Sequence, residues 1–186
     1  MQHKRIYLTG FMGTGKTTLG RVVANCLGWE FYDTDKEIEK DTQAPVATFV
    51  LKNGEEAFRK LEDAKLLELS VVEGAVISLG GGTLMNPKNI EICKSSGLLV
   101  YLKSNLSVIY NRVKKRTTRP LFKSEADPEM SREEAMKKLK LLFEQRREGY
   151  ETADLTVEIE TDNFGMSIDK IVNVIRSGRP EKKTWS

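Results

Sequence analysis

The stretch Leu8-Thr9-Gly10-Phe11-Met12-Gly13-Thr14-Gly15-Lys16-Thr17 decides how this chain folds. Gly10 and Gly15, separated by four residues and followed by Lys16 and Thr17, match the phosphate-loop pattern G-x-x-x-x-G-K-[ST]. The flanks agree: 6–8 reads as a short buried strand and 17–27 as an amphipathic helix. Gly10, Gly13 and Gly15 let the backbone curl so that its N–H groups face phosphate oxygens. The helix that follows favours negative charge at its N-terminus. Lys16 is then placed for the β/γ-phosphates and the Thr17 hydroxyl for Mg²⁺, with Gly13, Thr14, Gly15 and Thr18 completing the nucleotide site. A plain glycine-rich turn is the bland alternative. At average residue usage, a random chain of this length matches the pattern less than about 1% of the time, so nucleotide binding is the reading to carry forward.

The bulk numbers permit that reading and remove others. A chain of 186 residues can bury one α/β core. Its net charge of +3, from 30 basic and 27 acidic residues, does not by itself call for nucleic acid or a membrane surface. Cys26 and Cys93 lie far apart in helical patterns, which suits a reduced cytoplasmic protein better than a disulfide scaffold. No apolar run approaches a membrane span, and Met1–Arg5 leads directly into the first strand, so neither an anchor nor a signal peptide is expected. His3 is the one histidine and sits at the ragged start. A histidine-based triad or zinc site is therefore unavailable, and a general base has to be a carboxylate.

Strand and helix patterns alternate along the chain. Runs at 6–8, 30–32, 75–79, 98–102 and 155–159 read as five strands. Helical periodicity fills 17–27, 35–40, 55–72, 87–95, 107–113, 131–150 and 167–175. This alternation predicts a three-layer α/β/α fold with a parallel sheet, in which ligands collect at the carboxyl ends of the strands. Residues 1–178 are expected to form one domain and 179–186 a disordered polar tail.

Four further segments would meet at that sheet edge. Asp33-Thr34-Asp35 follows the second strand: one carboxylate can hold Mg²⁺ through water and the other can take a proton from an acceptor hydroxyl. The competing reading makes Asp33 or Thr34 a helix cap. Arg59, in Gly54-Glu55-Glu56-Ala57-Phe58-Arg59, is either a solvated helix residue or a fork for a substrate carboxylate. Gly80-Gly81-Gly82 after the third strand exposes bare backbone, as a binding wall or as a tight turn. The basic run Arg112 to Arg119 enters a segment at about 114–130 that reads as a mobile lid able to close an arginine over phosphates; in isolation it would read as an RNA patch.

Taken together, these motifs resemble the shikimate kinase family. The matching pieces are 10–17, Asp33-Thr34-Asp35 with Ile38-Glu39, Phe49 with Gly54-Glu55 and Phe58-Arg59, Leu79-Gly80-Gly81-Gly82, Arg119-Pro120-Leu121, and Arg146 with Tyr150 and Ala153-Asp154. They keep the family's order over about residues 4–176. The resemblance implies the nucleoside-monophosphate-kinase-like fold with a five-stranded parallel sheet. It also implies transfer of the γ-phosphate of ATP to the 3-hydroxyl of shikimate, in aromatic amino-acid biosynthesis, with Mg²⁺ as cofactor.

Roles follow from the resemblance. Lys16 binds phosphate, Thr17 ligates Mg²⁺ with Asp33 acting through water, and Asp35 holds the acceptor hydroxyl as the base candidate. Arg59 and Arg146 clamp the shikimate carboxylate, Gly80, Gly81 and Gly82 line the pocket, and Phe58 packs the ring. Arg119 reaches the transferring phosphate from the lid, Arg116 lies along the adenine, and 161–163 is the adenine loop. The four-residue spacing to Tyr150 selects Arg146, and Arg147 is the alternative. The implied partners are the small molecules shikimate and ATP, with the protein a cytoplasmic monomer that needs neither nucleic acid nor membrane. The nearest competing enzyme is gluconate kinase on the same fold, whose acid substrate would also suit paired arginines. A nucleotide-switched RNA-binding protein is the competing class, and the basic run lacks the interleaved aromatic residues that such a surface uses.

Overall fold

The computed structural model describes residues 3–114, 131–159 and 164–177. In chain order the elements are β1 (Arg5–Thr9), α1 (Lys16–Leu27), β2 (Glu30–Asp33), α2 (Thr34–Thr42), α3 (Val46–Asn53), α4 (Glu55–Leu69) and β3 (Ala75–Ser78). There follow a single 3₁₀ turn (Thr83–Met85), α5 (Pro87–Ser96), β4 (Leu98–Lys103), α6 (Leu106–Lys114), α7 (Arg132–Glu151), β5 (Leu155–Glu158) and α8 (Phe164–Ser177). The five strands form one sheet in the order β2-β3-β1-β4-β5, with every pairing parallel.

Parallel strands covered on both faces read as unbroken apolar runs, and the central ones do so here. Ile6, Tyr7, Leu8, Val76, Ile77, Leu99, Val100 and Leu102 are all fully buried. On one face Ile6, Leu8 and Val100 pack with Leu19 and Val23 of α1 and Ile171 of α8. On the other, Tyr7, Ile77 and Leu99 pack with Leu66 of α4 and Cys93 of α5. A third cluster joins Phe11 of the phosphate loop to Ile109 of α6 and Leu139 and Tyr150 of α7. Among the described residues no helix is long and apolar enough to cross a membrane.

All five expected strands are present. The sequence assigns no element between 40 and 55, where the chain forms α3. Its residues Val-Ala-Thr-Phe-Val-Leu are rich in strand formers, and none of them is buried, so periodicity carried no helical signal. Pro45 starts α3 and Gly54, at φ +86°, ends it and opens α4. The helix expected at 55–72 stops at Leu69.

From β1 the chain crosses to β2 at one edge, returns through β3 beside β1, and continues to β4 on the far side. That reversal of direction opens a crevice at the carboxyl end of the central strand. The loops after β1, β2 and β3 all empty into it.

Candidate active site

The loop after β1 has the geometry of an anion cradle. Gly13 and Gly15 take φ of +79° and +100°, where residues with a β-carbon are strained. Gly15 is the N-cap of α1, and no side chain fills the cap. The first turn can thus present N–H groups to an anion. Thr14 is buried, and its hydroxyl donates to the Phe11 carbonyl at 2.9 Å. Lys16 Nζ folds over the loop, donating to the Gly10 and Phe11 carbonyls at 2.7 and 3.3 Å. From α6, Arg112 Nη1 reaches the Gly13 and Thr14 carbonyls at 3.3 and 3.4 Å. Thr17 and Thr18 are exposed at the crevice end of α1.

The end of β2 lies beside this loop. Asp33 holds the N-cap position of α2, yet its side chain makes no capping bond. Its Oδ2 instead accepts from Thr17 Oγ1 at 2.7 Å. Thr34 does not cap either. It is fully buried, its hydroxyl donates to the Ser78 carbonyl at 3.3 Å, and its Oγ1 accepts from the Gly80 N–H at 3.0 Å. The side-chain cap reading of this triplet is therefore wrong: the end of the neighbouring strand β3 takes the Thr34 hydroxyl, and Thr17 takes the Asp33 carboxylate. Asp35 faces the glycine turn, and a β-carbon on Gly80 would lie 3.1 Å from its Oδ1.

The triple glycine is the wall against which two guanidinium groups lie. A β-carbon on Gly82 would sit 2.8 Å from both terminal nitrogens of Arg59, and one on Gly81 would sit 3.1 Å from Nη1 of Arg146. Arg59 is held by Glu62 at 2.7 Å and Glu55 at 2.8 Å, and its Cζ stands 5.6 Å from the ring centre of the buried Phe58. Glu62 is only 1% exposed, and its second oxygen accepts from Thr83 Oγ1. Arg146 Nε is buried without a partner among the described residues. An unpaired buried donor costs about 1–3 kcal/mol, and a bound carboxylate would relieve it. Tyr150, one turn along α7, donates to the Gly81 carbonyl at 2.5 Å. Burial pushes its hydroxyl up to about 12, so it remains a donor at neutral pH. Arg147 is half exposed and pairs with Glu151 at 2.7 Å and Glu144 at 3.7 Å, away from the turn.

The site's charge centres on Asp35. Burial, reinforced by repulsion from Asp33, Glu62 and Glu39 and opposed by Lys16, raises its carboxyl from 3.8 to about 6. A carboxylate ionised at neutral pH, yet close to its proton-binding range, is suited to general-base work.

Among the described residues no group of three His, Cys, Asp or Glu could hold a metal. The Thr17–Asp33 oxygen pair fits a Mg²⁺ that keeps several waters and takes its remaining ligands from phosphate.

A family model described as shikimate kinase matches residues 12–176. The chain belongs to the shikimate kinase family. A shikimate kinase of Chlorobium phaeobacteroides (strain BS1) is 39% identical over 170 residues, covering 91% of this chain and 85% of that one. The structure of a shikimate kinase from Acinetobacter baumannii in complex with shikimate superposes with a TM-score of 0.83 at 35% identity, over 97% of this chain and 96% of that one. A gluconokinase from Sinorhizobium meliloti 1021, at 16% identity and a TM-score of 0.51 over 94% and 96% of the two chains, shares the fold alone. As a shikimate kinase family member, the protein is an ATP-using phosphotransferase with an alcohol acceptor.

Within this shikimate kinase fold, one crevice gathers Gly13, Thr14, Gly15, Lys16, Thr17, Asp33, Asp35, Phe58, Arg59, Gly80, Gly81, Gly82 and Arg146. Arg116, Arg119, residues 115–130 of the expected lid, and 161–163 lie outside the described residues. Sequence reasoning gave no role to three residues at the site. Glu62 looks like any helical glutamate, and only its i+3 spacing from Arg59 hints at the pair. Tyr150 served only to fix the register of Arg146. In the sequence Arg112 belongs to a basic run, and its contact with the phosphate loop depends on how α6 packs.

Proposed function

We propose that the protein transfers the γ-phosphate of ATP to the 3-hydroxyl of shikimate, giving shikimate 3-phosphate and ADP, in aromatic amino-acid biosynthesis. The observation that carries this reading is the position of Asp35 between two unlike subsites. On one side stands the phosphate loop with Lys16; on the other stand two arginines against a bare glycine wall.

In this reading the triphosphate lies along the loop after β1, contacted by Gly13, Thr14, Gly15 and Thr18, with Lys16 on the β/γ-phosphates. Shikimate sits across the crevice, its carboxylate forked by Arg59 and Arg146 and its ring against Phe58 and the backbone of Gly80, Gly81 and Gly82. That grip turns the 3-hydroxyl toward Asp35. As the oxygen–phosphorus bond forms, the hydroxyl proton passes to Asp35, and the bond to the ADP oxygen breaks with its electrons leaving on ADP. The transition state spreads charge over the transferring oxygens, and Lys16 and Arg119 balance it. Thr17 and Asp33 would hold Mg²⁺, which when bound offsets phosphate charge. Arg116 lies along the adenine. The chain works as one domain over 1–178, with the lid at about 114–130 excluding water. It acts as a cytoplasmic monomer on small molecules and needs neither nucleic acid nor membrane.

The test is coupled ADP release with shikimate, gluconate and other sugar acids as acceptors. Shikimate-dependent release with gluconate inert is expected. Equal turnover on gluconate would overturn the assignment of the acceptor.

A further inference from the structure

The helix α7 carries a glycine, Gly149, in its last turn, and helix propensity gives no reason for it. Gly is among the poorest residues for a helix interior, well below Ala. Packing supplies the reason. A β-carbon at 149 would lie 2.6 Å from the carbonyl oxygen of Leu84 and 3.1 Å from both its carbonyl carbon and its own β-carbon. The first contact is far below van der Waals distance and involves backbone of the 3₁₀ turn, so a flexible side chain cannot absorb it. Leu84 is itself 3% exposed and has little room to retreat.

Arg146, Gly149 and Tyr150 stand at i, i+3 and i+4 and therefore share one face of α7. All three meet the same short segment. Arg146 Nη1 lies against Gly81, Gly149 against Leu84, and the Tyr150 hydroxyl donates to the Gly81 carbonyl at 2.5 Å. Every peptide bond here is trans, so fixing the Gly81 carbonyl on Tyr150 turns the Gly82 N–H of the same peptide the opposite way, away from α7. Among the described residues neither the Gly81 nor the Gly82 N–H donates a hydrogen bond.

We propose that Gly149 and Tyr150 are positioning residues for acceptor binding: the missing side chain at 149 seats α7 on the 3₁₀ turn, so that Tyr150 fixes the glycine turn and Arg146 reaches the pocket. This rests on the reading of Arg146 as a carboxylate clamp. Neither residue needs to touch the acceptor. Pushing α7 back moves the Arg146 guanidinium and releases the 81–82 peptide together, and displacement by about 1 Å can cost as much as 100-fold.

The test uses the full chain with shikimate and ATP. Gly149→Ala and Tyr150→Phe should each raise the KM for shikimate about 10-fold or more, with the KM for ATP changed less than about twofold. Gly165→Ala in α8, where an added β-carbon meets nothing within 4 Å, is the control and should leave both constants alone. The decisive comparison is the double variant with Arg146→Ala. If the pair acts through Arg146, Gly149→Ala adds little once that side chain is gone; full additivity overturns the proposal. Should Gly149→Ala fail to fold, Tyr150→Phe still decides, since it keeps the ring and removes only the hydroxyl. An unchanged shikimate KM in Tyr150→Phe overturns the proposal. Arg146→Ala alone checks the underlying clamp: if it leaves the shikimate KM unchanged, the clamp reading fails first, and the seating proposal falls with it.

Discussion

Asp35 is asked to be buried and charged at once. Its carboxyl is raised from 3.8 to about 6, chiefly by burial and then by Asp33 and Glu62. Between those values the folded chain holds a proton that the unfolded chain has lost. Stability therefore falls as pH rises through that window, and the cost is fully present above about 6. At about 1.4 kcal/mol per tenfold change in proton affinity, that cost is about 3 kcal/mol. Asp35→Asn removes the charge and keeps the shape. At pH 8 it should make the unliganded protein more stable by about 2–3 kcal/mol, and the advantage should shrink as pH falls toward 4. Urea unfolding of both proteins at pH 4.5 and 8 measures this; an equal gap at the two values would contradict it. Turnover should move the other way, falling by about 10²–10⁴ for loss of a general base. Near-normal kcat in Asp35→Asn would mean that the hydroxyl proton leaves by another route. In the parent enzyme, kcat/KM for shikimate should fall on the acid side with a midpoint near 6, where Asp35 takes up its proton.

At the scale of elements, the helices divide according to what the sequence could reveal. The phosphate loop and Asp33-Thr34-Asp35 were legible because their chemistry is local: a strand, a few glycines or carboxylates, and a helix start. The two arginines of the proposed clamp are legible only as candidates. What distinguishes Arg146 from Arg147 is the face of α7, and 100° of helical rotation separates a buried guanidinium on Gly81 from one shared between Glu144 and Glu151. Gly149 and the Thr83 bond of Glu62 are illegible because each involves a segment distant in sequence, whereas the pairing of Glu62 with Arg59 leaves only its i+3 spacing as a trace; α3 is hidden by its strand-like composition. The clamp is checked by three alanine variants. Arg59→Ala and Arg146→Ala should each raise the shikimate KM about 10- to 150-fold, as expected for one lost charge-assisted bond. Arg147→Ala should leave it near the parent value, because it removes only exposed ion pairs. A large effect at Arg147 and none at Arg146 would reverse the assignment. The lid belongs to the same scale. If 117–130 closes over the nucleotide, ATP and shikimate together should slow proteolytic cleavage there. Arg119→Lys should lose activity despite keeping its charge, since the planar fork is gone. Cleavage indifferent to both ligands would remove the lid from the mechanism.

For the molecule as a whole, the sheet order matters more than any one residue. Because β3 lies between β1 and β2, the loop after β1 and the turn after β3 face each other across the carboxyl end of neighbouring strands. In the proposed function, nucleotide and acceptor dock on separate segments of this one sheet edge. Thr34, bonded to Ser78 and Gly80, ties that edge together. Two subsites on a shared scaffold imply that each can be lost without the other. Ligand that binds only the folded chain stabilises it by about 2.7 kcal/mol at 100 times its Kd, so melting temperature reports each subsite separately. Lys16→Ala should melt close to the parent when unliganded, because Lys16 Nζ bonds loop carbonyls at the surface of the crevice and is not part of the apolar core. It should lose most of the upward shift given by ATP, keep the shift given by shikimate, and fall by orders of magnitude in kcat. Arg146→Ala should show the converse pattern, with the ATP shift kept and the shikimate shift lost. Unchanged turnover in Lys16→Ala would refute the phosphate-loop assignment. Simultaneous loss of both shifts in either variant would instead mean that the two loops form one cooperative unit, and that the edge is held together by bound ligand more than by the sheet beneath it.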